Sequence, residues 1–385
     1  MKIVNPAIDS FKLRIKADKV LFTPRGRELL MERKVSIGVD KVKRVLNGEM
    51  NLDELESELE YGDFKRNAYF PEELEEKGIK LRFLVVRRDY PYKPELSGDY
   101  LEILLNSKLL KERYFEGITL DNILIILEEI NSLGLFEINF DDFVNGSVVD
   151  VDIKADIEDI SESEFRRFID LLNNIKEGEI HKGEKNLGIQ YSYRQNTSHY
   201  IGKPFVKFYY KPIELLNNSP IFYRLYLESL YGKGAEKLNL ARLEGTIKNR
   251  KHFMRLGVED NSLLKVLRAL TPEKIVSILG GFLNKHLNLK RYDFGKDILK
   301  GVKPMSNKPS DVDLFLLVKA FIKLGYTLEM VLGTIKYSYL SWNVSKTTIW
   351  RKLGKVREIY TYLLENDKDL KVEGKFIELL KLLNL

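Results

Sequence analysis

A chain of 385 residues that is 44% apolar and 11% aromatic has material for two ordinary hydrophobic cores. It contains no cysteine, which excludes disulfides, thiolate zinc sites and cysteine nucleophiles, and it lacks the long uncharged apolar run of a membrane span. The net charge of +6 is unevenly spread: from Asn261 onward 22 Lys and Arg face 12 Asp and Glu, giving +10, and the first 260 residues carry −4. A basic rear part behind a carboxylate-bearing front part suits a nucleic-acid binder coupled to a metal-dependent site.

The opening MKIVNPAIDSFKLRI has no signal-peptide pattern, and Ala7 to Ile15 alternates as a strand whose one acid is Asp9. From about Thr23 to Lys77 the chain is charged and helix-leaning, with Leu52, Leu55 and Leu59 at helical spacing, an elaboration on the first domain. Ile79 to Arg88 and Tyr100 to Leu105 read as strands on either side of a loop with Pro91, Pro94 and Gly98. Ile118 to Leu133 has the i, i+3, i+4, i+7 pattern of an amphipathic helix, with Thr119 or Asp121 as its cap.

Val148 to Ile157 follows as a strand in which Asp150, Asp152, Lys154 and Asp156 alternate with Val149, Val151, Ile153 and Ala155. Ser161 to Ile175 reads as a helix opened by a capping box of Ser161 and Glu164. Gly188 to Gln195 and Tyr200 to Lys211 form a predicted hairpin, Ile221 to Tyr231 a helix, and Leu240 to Lys248 a strand with Arg242, Glu244, Thr246 and Lys248 on one face. Strands and helices interleaved with antiparallel neighbours make the front part α+β.

Beyond Asn261 the pattern is almost wholly helical, with predicted helices over Val312 to Leu324, Leu328 to Tyr339 and Val344 to Leu363. The last, capped by Ser345, presents Lys346, Thr347, Trp350, Arg351, Lys355 and Arg357, and with its predecessor has helix-turn-helix spacing. An amphipathic helix with Ile349, Leu353 and Ile359 in a bundle core would show the same residues. The expected domains are 1–258, α+β, and 259–385, helical and DNA-binding.

The chemistry concentrates in Phe205 to Leu215, FVKFYYKPIEL. Period two puts Lys207, Tyr209 and Lys211 on one face, Pro212 ends the strand, and Glu214 lies one turn beyond. A half-covered antiparallel sheet alternates in this way with no chemistry attached. Acids stacked on neighbouring strands repel, however, unless lysines or a hard divalent cation sit among them, and a tyrosine beside such a site suggests phosphoryl transfer. No P-loop is present, and His181, His199, His252 and His286 lack zinc-ligand spacing.

Five segments carry a resemblance to the filamentous-phage gene II replication proteins and, more distantly, to plasmid rolling-circle initiators. These are IDSFKLRI at Ile8, LEILLNSKLLKERYFEGITLDNI from Leu101, VVDVDIKADI, VKFYYKPIEL, and ARLEGTIKNRKHFMRLG from Ala241, the most specific of the five; the SKTTIWR helix also has a counterpart. The strand's usual arginine is Asp150 here, and Gly245 to Asp260 lacks the tyrosine that plasmid initiators place there. The resemblance implies a relaxase-like (HUH-like) antiparallel-sheet nuclease domain that nicks and rejoins single-stranded DNA through a tyrosine, in a bacterial host's cytoplasm. The gene II pattern places the nucleophile at Tyr209, with Tyr210 next and Tyr223, Tyr226 or Tyr231 behind it.

On this reading Lys211 favours the phenolate, and Mg²⁺ or Mn²⁺ held by Asp152 and Glu244, with Asp156 or Glu214 completing the set, polarises the scissile phosphate. The products are a 5′-phosphotyrosine and a 3′-hydroxyl that primes synthesis. The implied partners are single-stranded DNA, duplex origin DNA, and host helicase and polymerase, with no membrane. Two rival readings are a non-enzymatic origin-binding protein and a mobilisation relaxase.

Overall fold

The computed structural model describes residues 1–31, 68–89, 92, 94–175, 181–182, 187–191, 205–248, 253–254, 257–258, 260–289 and 302–385. Most of the expected helical elaboration, with Leu52, Leu55 and Leu59, lies outside them, as do His199, His252 and the start of the strand expected at Tyr200.

The alternating stretches pair into one antiparallel sheet. Its strands are β1 (Lys2–Lys16), β3 (Arg82–Arg88), β4 (Gly98–Asn106), β6 (Ser147–Glu158), β7 (His181–Lys182), β8 (Gly188–Tyr191), β9 (Val206–Tyr210) and β10 (Leu240–Lys248), and β2 (Leu21–Phe22) pairs separately with β5 (Phe136–Glu137). Among the described residues the order is β3-β4-β1-β6-β10-β9-β8-β7, so the three strands singled out in the sequence, β6, β10 and β9, lie side by side. The register sets Asp156 opposite Arg242 and Arg242 opposite Tyr209, with Lys154, Glu244 and Lys207 in the next row and Asp152 opposite Thr246. The two-residue period holds through this region and sorts the ionised side chains onto one face.

The other face is the apolar core. Phe208 and Tyr210 pack on Phe165 of the helix Glu162–Ile175, with ring centroids 4.8 and 5.8 Å apart. Ser161 and Glu164 form the expected reciprocal cap of that helix. The helix Pro272–Asn284 crosses the same face over Gly245, where an added Cβ would lie 2.9 Å from Phe282 and 3.0 Å from Leu279. The helix expected over Ile118 to Leu133 is shorter, Ile123–Asn131, because Asn122 accepts from the Thr119 amide and holds the preceding residues in a turn.

Four helices follow in the C-terminal part: α1 (Pro309–Lys323), α2 (Leu328–Ser341), α3 (Lys346–Asn366) and α4 (Lys368–Leu382). Val318, Val331, Leu353, Val356 and Leu363 are part of a second core that joins α1, α2 and α3. The expected boundary at 258/259 is corrected. Helix Pro272–Asn284 belongs to the sheet's core, and α4 returns to it through Phe376, Ile377, Leu379 and Leu380. Lys375 fastens the return, donating to Glu164 at 2.7 Å and to the Asp159 carbonyl at 2.9 Å. Charge drew the line too early because a helix that covers a sheet can carry cations on its outer face.

At Gly280 the returning chain packs against backbone: a Cβ there would sit 2.0 Å from the Leu383 carbonyl oxygen. Gly280→Ala is expected to destabilise the protein by about 1–3 kcal/mol through overpacking, measured by denaturant unfolding, whereas Ala at neighbouring Gly281, where a Cβ meets nothing within 4 Å, is tolerated. Among the described residues no helix is long and apolar enough to cross a membrane.

Candidate active site

The ionised face opens into a cavity of about 540 Å³. Asp9, Asp152, Glu214 and Glu244 supply its carboxylates and Lys80, Lys108, Lys207 and Lys211 its ammonium groups, with the Tyr209 and Tyr114 rings in the lining. Tyr209 donates its hydroxyl hydrogen to Glu244 Oε1 in a short hydrogen bond. The Lys211 ammonium lies 3.4 Å from the Tyr209 oxygen, 5.3 Å from the centre of its ring and 5.2 Å from that of Tyr114. Lys211 opens the helix Lys211–Asn218 rather than closing the strand, and its 2.6 Å ion pair with Glu214 spans the first helical turn.

Below the cavity lies a fully buried ion network. Arg242 grips both oxygens of Asp156, at 2.6 and 3.0 Å, and Lys154 adds a third donor at 2.8 Å. The other arm of Arg242 donates to Asp9 and to the Tyr114 hydroxyl, both at 3.0 Å. Tyr114 and Phe115, from the helical turns Ser107–Glu116, close the network, and Lys154 also donates to the Phe115 carbonyl.

Burial sets the electrostatics. It pushes the Tyr209 phenol well above its ordinary value, with the Glu244 charge adding to the effect. Burial and then the Asp9 charge raise Glu244. Burial presses Asp9 upward too, but Arg242, Lys211 and Lys154 outweigh it and hold Asp9 low. Burial and Arg242 oppose the Lys211 charge, yet Tyr114, Glu214 and Glu244 overcome them and raise its pKa. Two neighbouring carboxylates are thus driven apart, Asp9 ionised and Glu244 proton-seeking, which is the arrangement that separates acid–base roles.

The structure brings Tyr209, Lys211, Glu214, Asp152 and Glu244 to one cavity. Asp156 is corrected: it lies beneath the cavity with both oxygens taken by Arg242 and is not placed to ligate an ion there. Glu214 lines the cavity but is neutralised by Lys211. No three His, Asp or Glu among the described residues are close enough to grip one ion, so the expected set of Asp152 and Glu244 completed by Asp156 or Glu214 is not assembled. Asp9, Asp152 and Glu244 face the cavity from the adjacent strands β1, β6 and β10, but as they stand they do not converge on one ion.

Asp9 is the site residue that the sequence understated. Ile8 pairs with Ile153 and Ser10 with Asp152, so Asp9 is an extra residue in a β-bulge that turns its carboxylate into the cavity, where Ser107 donates to it at 2.8 Å. Of the expected DNA contacts, Lys346, Thr347 and Arg351 are exposed at the start of α3, whereas Lys355 is drawn back into a 2.5 Å ion pair with Asp311 of α1. His286 stacks on Tyr191 at 4.9 Å, away from the cavity lining.

Asp152 accepts from Ser10 at 2.7 Å and from Thr246 at 2.6 Å, yet burial raises its pKa. A carboxyl raised in the folded state costs stability once pH exceeds that raised value and costs nothing below the unfolded value. Asp152→Asn is therefore expected to raise the melting temperature at neutral pH, with the gain vanishing as pH falls below the ordinary carboxylate range. Compared with protein-family models, curated proteins and solved structures, the chain finds no match.

Proposed function

We propose that the chain is a rolling-circle replication initiator that nicks single-stranded DNA with Tyr209 and later rejoins it. The observation that carries this reading is the Tyr209 hydroxyl donating to Glu244 inside a cavity walled by lysines. Tyr209 Oη attacks the scissile phosphorus and its proton passes to Glu244. The bond from phosphorus to the 3′ oxygen breaks, and that oxygen takes a proton from water. Lys211 steadies the phenolate, and Lys207, Lys80 and Lys108 neutralise the phosphates that flank the cut. Rejoining is the reverse: the 3′-hydroxyl gives its proton to water as its oxygen attacks the phosphotyrosine, and the bond from phosphorus to Tyr209 Oη breaks as Glu244 returns the proton.

The raised Glu244 pKa supports its role as base, since a base poised nearer to neutral pH is the more effective. Mg²⁺ or Mn²⁺, brought in on the phosphate oxygens of the substrate and joined by Asp152, would supply positive charge at the scissile phosphate. Lys346, Thr347 and Arg351 of α3, following α2 after a four-residue turn, are the helix-turn-helix face offered to duplex origin DNA. Lys355 is left with its Asp311 partner.

The test is incubation with supercoiled DNA that carries its own origin, with and without EDTA. Nicked circles with protein bound to the 5′ end support the reading. Binding with no adduct under any condition supports the non-enzymatic origin-binding reading instead.

A further inference from the structure

The chain's two tryptophans stand out by where they sit. Trp342 is 72% exposed and Trp350 66% exposed, at the turn between α2 and α3, which also displays Tyr337 and Leu340. Solvating two indoles within nine residues forgoes the burial that usually fixes this side chain, and an exposed apolar cluster of this kind marks a binding surface.

Between α2 and α3 lies a groove of about 430 Å³. Leu332 and the buried Ile349 and Leu353 line it together with the exposed Leu340 and Trp350. Lys336, Lys346 and Arg357 rim it, and the lining contains no carboxylate. None of these three cations has an ion-pair partner among the described residues, in contrast to Lys355 beside them. Gly333, where an added Cβ would meet nothing within 4 Å, keeps one side of the groove low.

We propose that this groove binds a nucleotide of unpaired DNA, the base stacked on Trp350 against the apolar lining and the flanking phosphates on Lys336, Lys346 and Arg357. Aromatic faces interleaved with unpaired cations are the composition of single-strand binding surfaces, because stacking accepts any base and the cations follow the backbone. The apolar lining offers no group that would read a base edge, so binding is indifferent to sequence. An acidic amphipathic peptide is the other occupant the charge would accept, but a peptide does not account for an indole face left open beside three cations. The inference rests on the reading that the chain acts on DNA and adds a single-strand contact, away from the Tyr209 cavity, that shares Lys346 with the face offered to duplex DNA.

Both tryptophans lie at this surface, so tryptophan emission, excited beyond the tyrosine absorption band, reports on it, and Trp342→Phe leaves Trp350 as the sole tryptophan. Titration of the full-length Trp342→Phe protein with a 15-mer of oligo(dT) is expected to quench emission, while a 15-mer of abasic sugar phosphate, equal in charge, quenches far less. Trp350→Ala is expected to weaken oligo(dT) binding roughly ten-fold or more, measured by fluorescence anisotropy of a labelled strand. Lys336→Ala with Lys346→Ala is expected to flatten the log–log salt dependence by roughly 1.4 units, at about 0.7 per phosphate contact on single strands. Equal quenching by the abasic strand, no quenching by oligo(dT), or quenching by an acidic peptide alone would each overturn the proposal. Tyr209→Phe should quench as the parent does. An adduct at Tyr209 without quenching sinks the groove and spares the nicking reading, and quenching with no adduct does the opposite.

Discussion

Tyr209→Phe is expected to abolish the covalent DNA adduct outright, and Glu244→Gln to slow its formation by roughly 10²–10⁴-fold, the range for loss of a positioned proton acceptor. Phe keeps the ring that Lys211 faces at 5.3 Å and removes only the oxygen that would attack. Gln keeps an acceptor for the Tyr209 hydrogen bond but cannot take the proton. The two variants should therefore differ in kind: residual, slow adduct in Glu244→Gln, and none in Tyr209→Phe. The pH profile adds a sign. Glu244 is held above the ordinary carboxylate range by burial and by Asp9, so the parent's rate should climb as pH rises through that raised value. The Gln variant should lose that climb. Gel detection of the protein–DNA adduct across pH measures both, and an adduct in Tyr209→Phe that vanishes in Tyr210→Phe would move the nucleophile to Tyr210, whose ring packs on Phe165 at the sheet's other face.

Period-two alternation made the sheet legible, because burial of one face forces it and a one-residue slip would expose every apolar side chain. Lys207 and Tyr209 fell on the cavity side and Phe208 and Tyr210 on the core side for that reason. The same rule hid Asp9. A bulge adds one residue to the count, and nothing in IDSFKLRI marks where the count breaks. Asp156 shows a different limit. It shares a face with Asp152, but which part of that face stays open depends on Tyr114 and Phe115, whose turns come from another stretch of chain. The returning helix α4 was illegible as well, since its apolar stripe suits either core until Gly280 and Lys375 fix its partner.

Arg242→Met is expected to cost about 3–5 kcal/mol, because it leaves a buried carboxylate without its main counter-charge. Arg242 and Asp156 are both fully buried, joined at 2.6 and 3.0 Å, so neither group can turn to water when the other is removed. Burial alone drives Asp156 upward, and Arg242 and Lys154 together reverse that and hold it low. A carboxyl held low contributes stability that is present above its unfolded value and lost as pH falls through the folded one. In Arg242→Met only Lys154 remains, itself lowered by burial to about 8, and Asp156 should move upward. The deficit relative to the parent is then largest near neutral pH and shrinks on acidification, as Asp156 takes up a proton and no longer needs the cation. Arg242→Met with Asp156→Leu should cost clearly less than the two single changes added together, since the double change removes the stranded charge along with its partner. Urea unfolding of the four proteins at two pH values measures this coupling. Additive losses that do not vary with pH would mean that Arg242 acts by filling space, and that the ion network beneath the cavity does not hold the floor on which Asp9 and Tyr114 are set.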